Sequence, residues 1–313
     1  MINLQQLHYA YTLRQTRSFS LAAKEEGLTQ SAISQQILKL EASIGFTIFD
    51  RKSKPLSLTA DGEQFMDQAQ GLLLEAKQLM DFSNTLDSGE RGQLNIGVIP
   101  TLSPYLVPLF INELHDRFPE IQLIISELKT DEIIEGLRNR SIDAGILSTP
   151  IETSLRLQVR KMFYEKFFLY VSADHPLYGK QSIPLNDISG DDLWLLSEGN
   201  CFSDQVNNMC DLDNCRSFKS NLDYRSNSIH ALRRIVEHKG GLTFLPELAT
   251  LSVDESSEDL IKEIMGTPRA REISLVTAKG EPKINLINNV IDVVLDCLPK
   301  HILDASEKEI VSA

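Results

Sequence analysis

The sequence predicts an α/β protein in three parts: an all-α N-terminal segment, a long connecting helix and a two-lobed α/β C-terminal portion. Three observations carry this. Apolar residues recur at helical spacing over 4–44, a heptad stripe runs from 65 to 86, and strand and helix patterns alternate beyond Gly92. The length of 313 residues suits about two domains, at ~100–200 residues each. Hydrophobic residues at 42% and charged residues at 24% describe a globular chain, neither disordered nor fibrous. The start, Met1-Ile2-Asn3-Leu4-Gln5-Gln6, turns polar too early for a signal peptide. The apolar run Phe167-Phe168-Leu169-Tyr170-Val171 falls far short of the ~18 residues a membrane span needs. Four Cys are too few for a disulfide scaffold, so a reducing cytoplasm is expected.

The first segment reads as three helices. Residues 4–15 form the first, with Leu4, Leu7 and Tyr11 on one face. Ser18 caps a second through Ala22 and Ala23 to Glu26, and Gly27 stops it. Thr29 caps a third, running to about Ser43, whose Ile33, Ile37, Leu40 and Ile44 form one stripe. Its other face shows Gln30, Ser31, Ser34 and Gln35, then Lys39. Two helices about a Gly-containing turn make a helix-turn-helix, at about 18–37. Such a polar face suits base edges in a major groove, though an ordinary helical hairpin shows a solvated face too. Charge adds to the first alternative. Residues 1–58 hold Arg14, Arg17, Lys24, Lys39, Arg51, Lys52 and Lys54 against Glu25, Glu26, Glu41 and Asp50, a balance of +3 within a chain of −13.

From Thr59 one long helix reads to about Leu86. Phe65, Ala69, Leu72, Ala76, Leu79, Ser83 and Leu86 alternate spacings of four and three, a coiled-coil seam suited to dimerisation. A helix packed on its own domain shows a broader apolar face instead. Ser88-Gly89-Glu90-Arg91-Gly92 reads as a hinge. The expected domains are thus 1–58, 59–88 and 89–313.

Beyond the hinge, 94–99, 121–126 and 142–147 read as strands, followed by 167–171, 193–196 and 241–245, with helices between. This alternation argues for mainly parallel sheets in two lobes, one of 92–162 and 268–302, the other of 163–267, with strand 273–277 and helix 284–301 returning to the first. Ligands in such folds sit in the crevice at strand carboxyl ends. No phosphate-loop, dinucleotide, zinc-protease or hydrolase motif is present, and His8, His115, His175, His230, His238 and His301 are scattered. No metal or cofactor is expected.

Cys201, Cys210 and Cys215 cluster, while Cys297 lies alone in the last apolar helix as a packing residue. Gly199-Asn200 ends a strand and Cys201 opens a helix, where the dipole and free N–H groups favour a thiolate. If 201–210 stays helical, Cys201 and Cys210 lie ~13 Å apart at ~1.5 Å per residue. A disulfide needs Cα atoms within about 7 Å, so the bond forms only if the helix unwinds. Three small residues in a core are the plainer alternative.

From Ala22-Ala23 through Leu28-Thr29-Gln30-Ser31-Ala32-Ile33-Ser34, Ile37, Leu40-Glu41, Ile44-Gly45, Ile48-Phe49-Asp50-Arg51 and Leu58-Thr59-Ala60-Asp61-Gly62, the chain closely resembles the winged helix-turn-helix of LysR-type transcriptional regulators. Ser31 stands where the family commonly has Pro. The resemblance implies that Gln30, Ser31, Ser34 and Gln35 face bases or phosphates, beside Thr29, Lys39 and a wing of Arg51, Lys52 and Lys54. It extends to the C-terminal portion as a periplasmic-binding-protein-like effector domain. Glu198-Gly199-Asn200-Cys201-Phe202-Ser203-Asp204-Gln205 with Cys210, Ile99-Pro100-Thr101-Leu102-Ser103-Pro104-Tyr105-Leu106 and Gly240-Gly241-Leu242-Thr243-Phe244-Leu245-Pro246 resemble the hydrogen-peroxide-sensing members of that family.

In that light Cys201 is the implied peroxidatic thiol and Cys210 the resolving one, with Cys215 an alternative. Thr101, Ser103, Thr130, Asn200, Asp204 and Arg271 line the implied pocket. Two positions depart: Asn200 replaces the usual His and Ser203 the usual Arg, which leaves the helix dipole and Arg271 to favour the thiolate. The implied partners are promoter DNA, further copies of the chain as dimer or tetramer, hydrogen peroxide and RNA polymerase, in a cytoplasmic activator that is not an enzyme. A family member that binds a metabolite between the lobes, with inert cysteines, is the alternative. A thiol peroxidase that turns over at Cys201 is a third reading, and the helix-turn-helix counts against it.

Overall fold

Three side-chain caps lay out the first domain. Asn3 Oδ1 accepts from the Gln5 N–H, Ser18 Oγ from Leu21 and Thr29 Oγ1 from Ala32, each satisfying an orphan donor at a helix start. They open α1 (Leu4–Thr16), α2 (Phe19–Glu25) and α3 (Gln30–Ile44). Gly27 has φ +65°, the left-handed turn expected between the last two. The computed structural model describes residues 2–85, 89–151, 156–197, 201–210, 226–306 and 308–312. Strands β1 (Phe49–Asp50) and β2 (Ser57–Leu58) pair antiparallel and carry the basic loop between them. Helix α4 (Ala60–Thr85) follows. It runs so close to β1 that a side chain on Gly62 would collide with the Ile48 carbonyl.

Two expectations for this segment are corrected. The buried face of α1 is Leu7, Tyr9, Ala10, Thr12 and Leu13, while Leu4 is exposed. On α4, Phe65 packs edge-on against Phe46 and Ala69 is buried with Met66 in the segment's own core. The first part of the heptad stripe therefore belongs to the domain that carries it, because a three-helix core this small needs a fourth helix to close it. Leu72 is exposed and Ala76 half-buried, whereas the side chains of Leu79 and Leu86 lie outside the described residues.

The chain divides into two compact units, Met1–Asn84 and Thr85–Ala313. The second begins with β3 (Arg91–Val98), α5 (Ser103–Arg117), β4 (Glu120–Glu127), α6 (Thr130–Arg138) and β5 (Ala144–Thr149). Then come β6 (Leu157–Val171), β7 (Ser182–Ile183), β8 (Leu193–Trp194), α7 (Cys201–Cys210) and α8 (Ile229–Lys239). It ends with β9 (Leu242–Pro246), α9 (Glu247–Thr250), β10 (Ile261–Ile264), β11 (Arg269–Ala278), α10 (Ile284–Asp296) and β12 (Glu309–Ile310).

The sheet is mixed rather than mainly parallel. Strand β3 pairs parallel with β4 and β5, but β11 is antiparallel to both β5 and β6, and β6 is antiparallel to β9 and β10. The cause is β6, a 15-residue strand that leaves one lobe and enters the other. Its first part pairs with β11 and its last part, Phe167–Val171, with β9. The expected lobe limits at 162 and 163 fall inside this strand. Two cores result. Phe163 packs with Leu94, Ile146, Leu275 and Val290 in one, and Phe167 with Leu245, Phe202 and Val206 in the other. The helix expected over 284–301 ends at Asp296, followed by a short turn of 3₁₀ helix at Lys300–Ile302. Gly145 of β5 allows α6 to lie on the sheet, since a side chain there would strike Ile133.

Candidate functional site

In the first unit the capped start of α3 presents Thr29, Gln30, Ser31 and Gln35 to solvent, with Lys39 one turn further and Ser34 half-buried. Gln30 also accepts from the Ser20 hydroxyl of α2 at 3.0 Å, which fixes its side chain across the turn. On the wing, Lys52 and Lys54 are exposed. Arg51 differs from them. Its Nη2 donates to Glu41 at 3.0 Å, and its guanidinium lies over the Phe19 ring. Glu41, buried on α3, also accepts the Ile48 and Phe49 N–H groups through its other oxygen. Arg51 therefore neutralises a buried carboxylate and locks the wing to α3, which leaves less of its charge for an external phosphate.

In the second unit Cys201 is the first residue of α7, as the sequence predicts, and half-buried. The Thr130 hydroxyl, at the start of α6, lies 3.1 Å from Sγ. Phe202 is buried next to it, with its ring tilted against Phe167 at 5.4 Å and the Arg271 guanidinium over it at 5.2 Å. The Ser203 hydroxyl donates to the Leu196 carbonyl at 2.9 Å. Cys210 ends the same helix against the second lobe's core, and burial pushes its thiol up to about 12, with Arg269 pulling it partway back. Both cysteines are thiols.

A fully buried ion pair stands behind this arrangement. Arg271 on β11 donates through Nε and Nη2 to Glu165 Oε2 at 2.9 and 2.8 Å. Its Nη1 donates to the Thr101 hydroxyl at 2.8 Å, and Nη2 also donates to the Thr101 carbonyl at 3.2 Å. Glu165 Oε1 accepts the Leu248 N–H of α9. Burial pushes the Glu165 carboxyl up, while Arg271 and the Leu248 N–H oppose the shift.

These features meet known proteins in two ways. Residues 4–63 match the model of the bacterial regulatory helix-turn-helix proteins of the lysR family, and residues 87–298 match that of the LysR substrate binding domain. The chain belongs to the LysR family of transcriptional regulators. It is 32% identical over 97% of its length to the hydrogen peroxide-inducible genes activator of Haemophilus influenzae, covering 99% of that protein. It is 31% identical over 95% of its length to the HTH-type transcriptional regulator EstR of Acinetobacter baylyi, covering 96% of it. Its fold is similar to full-length OxyR of Pseudomonas aeruginosa, in a cysteine variant, with a TM-score of 0.74 and 27% identity over 95% of this chain and 99% of that one.

In this LysR regulator the residues expected around the thiol do not all meet it. Thr130 touches the sulfur. Thr101 and Arg271 are bonded to each other, and Arg271 spends its charge on Glu165, so it stands as a support under Phe202 rather than as the thiolate's counter-ion. Ser103 is buried at the start of α5 and Asp204 is exposed on the first turn of α7. Asn200 and Cys215 lie outside the described residues. The sequence alone does not single out Glu165. Its trace in the sequence is phase: Phe163, Glu165, Phe167 and Leu169 alternate on one strand face, and the carboxylate holds one of four buried positions. A cleft of about 470 Å³, lined by Pro100, Tyr105, Lys129, Glu132, Asn227 and His230 among others, opens between the starts of α5 and α8, at the kind of crevice such sheets use for ligands. Among the described residues no helix is long and apolar enough to cross a membrane, and no cluster suits a metal ion.

Proposed function

We propose that this protein is a cytoplasmic, DNA-binding transcription activator that responds to hydrogen peroxide through Cys201 and Cys210. One observation carries the reading most. The Cys201 sulfur sits at a helix start beside a hydroxyl, and the second thiol ends the same helix in a core. The Cys201 thiolate attacks one peroxide oxygen, the O–O bond breaks, and the leaving hydroxide takes a proton to become water. Cys201 becomes a sulfenic acid. The sulfur of Cys210, losing its proton, then attacks that of Cys201, forming S–S and releasing a second water. The sum is two thiols and one peroxide giving one disulfide and two waters, so peroxide supplies all the oxidising equivalents.

The helical geometry makes this a switch. Ten residues of α7 hold the two sulfurs apart, and only an unwound helix brings them together. Burial of Cys210 works in the same direction, since the packed thiol stays protonated until the helix opens. The altered effector domain then changes how paired recognition helices grip two half-sites, and how the bound dimer or tetramer meets RNA polymerase. Thr29, Gln30, Ser31, Ser34, Gln35 and Lys39 form the recognition face, Lys52 and Lys54 its phosphate contacts, and the exposed Leu72 a surface for the second copy.

Mass spectrometry after substoichiometric hydrogen peroxide tests the reading. A bond between Cys201 and Cys210 is expected. A chain that keeps all its thiols would leave a metabolite-responsive regulator, and a bond to Cys215 would replace the resolving residue. On the DNA side, Gln35→Ala weakens operator binding by about 1–3 kcal/mol while binding to unrelated DNA stays nearly unchanged. Equal losses on both DNAs in a fluorescence titration would show that Gln35 touches phosphate only.

A further inference from the structure

The matched substrate-binding domain ends at residue 298, yet the chain beyond it is bound to α7. Strand β12 adds parallel to β11, with the Glu309 N–H donating to the Pro268 carbonyl and the Val311 N–H to the Ala270 carbonyl, each at 2.9 Å. From the other side α7 reaches across. Gln205 Nε2 donates to the Val311 carbonyl at 3.0 Å, and Asn208 Nδ2 to the Ser312 carbonyl at 3.1 Å. Val311 is buried in the same core as Phe202, Val206 and Met209, the inner face of α7. Arg269, whose charge acts on Cys210, also pairs with Glu309 at 3.3 Å. Lys308 Nζ anchors the segment by donating to the carbonyls of Tyr164 and His301.

We propose that residues 308–312 are a latch on the redox helix: they hold α7 wound while both cysteines are thiols and are released when Cys201 and Cys210 join. The inference rests on the thiol reading above for its second half only. Gln205 and Asn208 lie between the two cysteines, so the helix cannot unwind without withdrawing both amide donors. Val311 would lose its α7 neighbours in the same movement. Lys308 and Glu309 hold the start of the segment, whereas Val311 and Ser312 depend on α7, because strand pairing only two residues long does not persist unaided. The latch therefore sets how readily the helix opens.

Hydrogen–deuterium exchange of the full chain and of a chain lacking residues 309–313 tests both halves. In the thiol form, removing the tail should raise exchange within 205–210 about tenfold, as loss of a few ordinary hydrogen bonds and a buried side chain would. Disulfide formation should quicken by a similar factor. Val311→Ser should do the same more weakly, and it serves if the truncated chain does not fold. Unchanged exchange across 205–210 in both variants overturns the latch whether or not peroxide is the signal. On oxidation of the intact chain, the Glu309 and Val311 amides should lose protection. A chain with a confirmed Cys201–Cys210 bond and both amides still protected overturns the release, while the thiol reading stands. If the two cysteines never join, the thiol reading fails and the release with it; the thiol-form comparison still decides the clamp.

Discussion

Cys201→Ser gives a protein that binds its operator as the reduced wild type does and no longer changes when hydrogen peroxide is added. The argument is chemical. The nucleophile toward peroxide is a thiolate, and a serine hydroxyl at the same place stays protonated at neutral pH. The substitution keeps the Thr130 contact within reach of an oxygen and leaves the buried Phe202 in place, so the fold is conserved. Cys210→Ser separates the two chemical steps, because oxidation then stops at the sulfenic acid and the mass rises by one oxygen with no disulfide. Footprinting of both variants with and without peroxide, alongside intact-mass measurement, checks the pair. Loss of operator binding in reduced Cys201→Ser would show that the sulfur holds the structure rather than senses. A peroxide response that survives would move the sensor elsewhere in the chain.

Much of this molecule could be read before any coordinates. The Ser18 and Thr29 caps, the Gly27 turn and the start of α7 at Cys201 are local features, set by residues that touch their own backbone, and they appear where expected. What could not be read is what depends on distant partners. The wing arginine counts as a phosphate contact in the sequence, but Glu41 claims it. The heptad stripe begins in a core, because periodicity reports which face is apolar and not what covers it. The first part of β6 carries Arg160, Lys161, Glu165 and Lys166, so no apolar run marks the strand that joins the lobes and turns the sheet mixed. The tail beyond residue 302 shows no role in the sequence, since a two-residue strand has no periodicity to detect.

Glu165→Gln should have the largest effect on the fold. A buried ion pair contributes little over apolar residues of equal shape, but removing one partner strands the other in a low dielectric, at a cost of about 3–5 kcal/mol. Here the stranded group is Arg271, fully buried and bonded through three nitrogens. With glutamine at 165 it keeps Thr101 and the Phe202 ring and loses its counter-charge. The single tryptophan, Trp194, lies buried in the second lobe and reports that lobe's unfolding by fluorescence. In a unit of this size the loss should lower the midpoint by roughly 10 °C. Pairing Glu165→Gln with Arg271→Met should recover much of it, because both charges then leave together. Recovery of stability without recovery of peroxide sensitivity would assign Arg271 a second task. Its guanidinium covers the Phe202 ring, and Phe202 seats the first turn of the helix that Cys201 opens. Recovery of both would make the pair a matter of folding alone and leave Thr130 and the helix start to prepare the thiol.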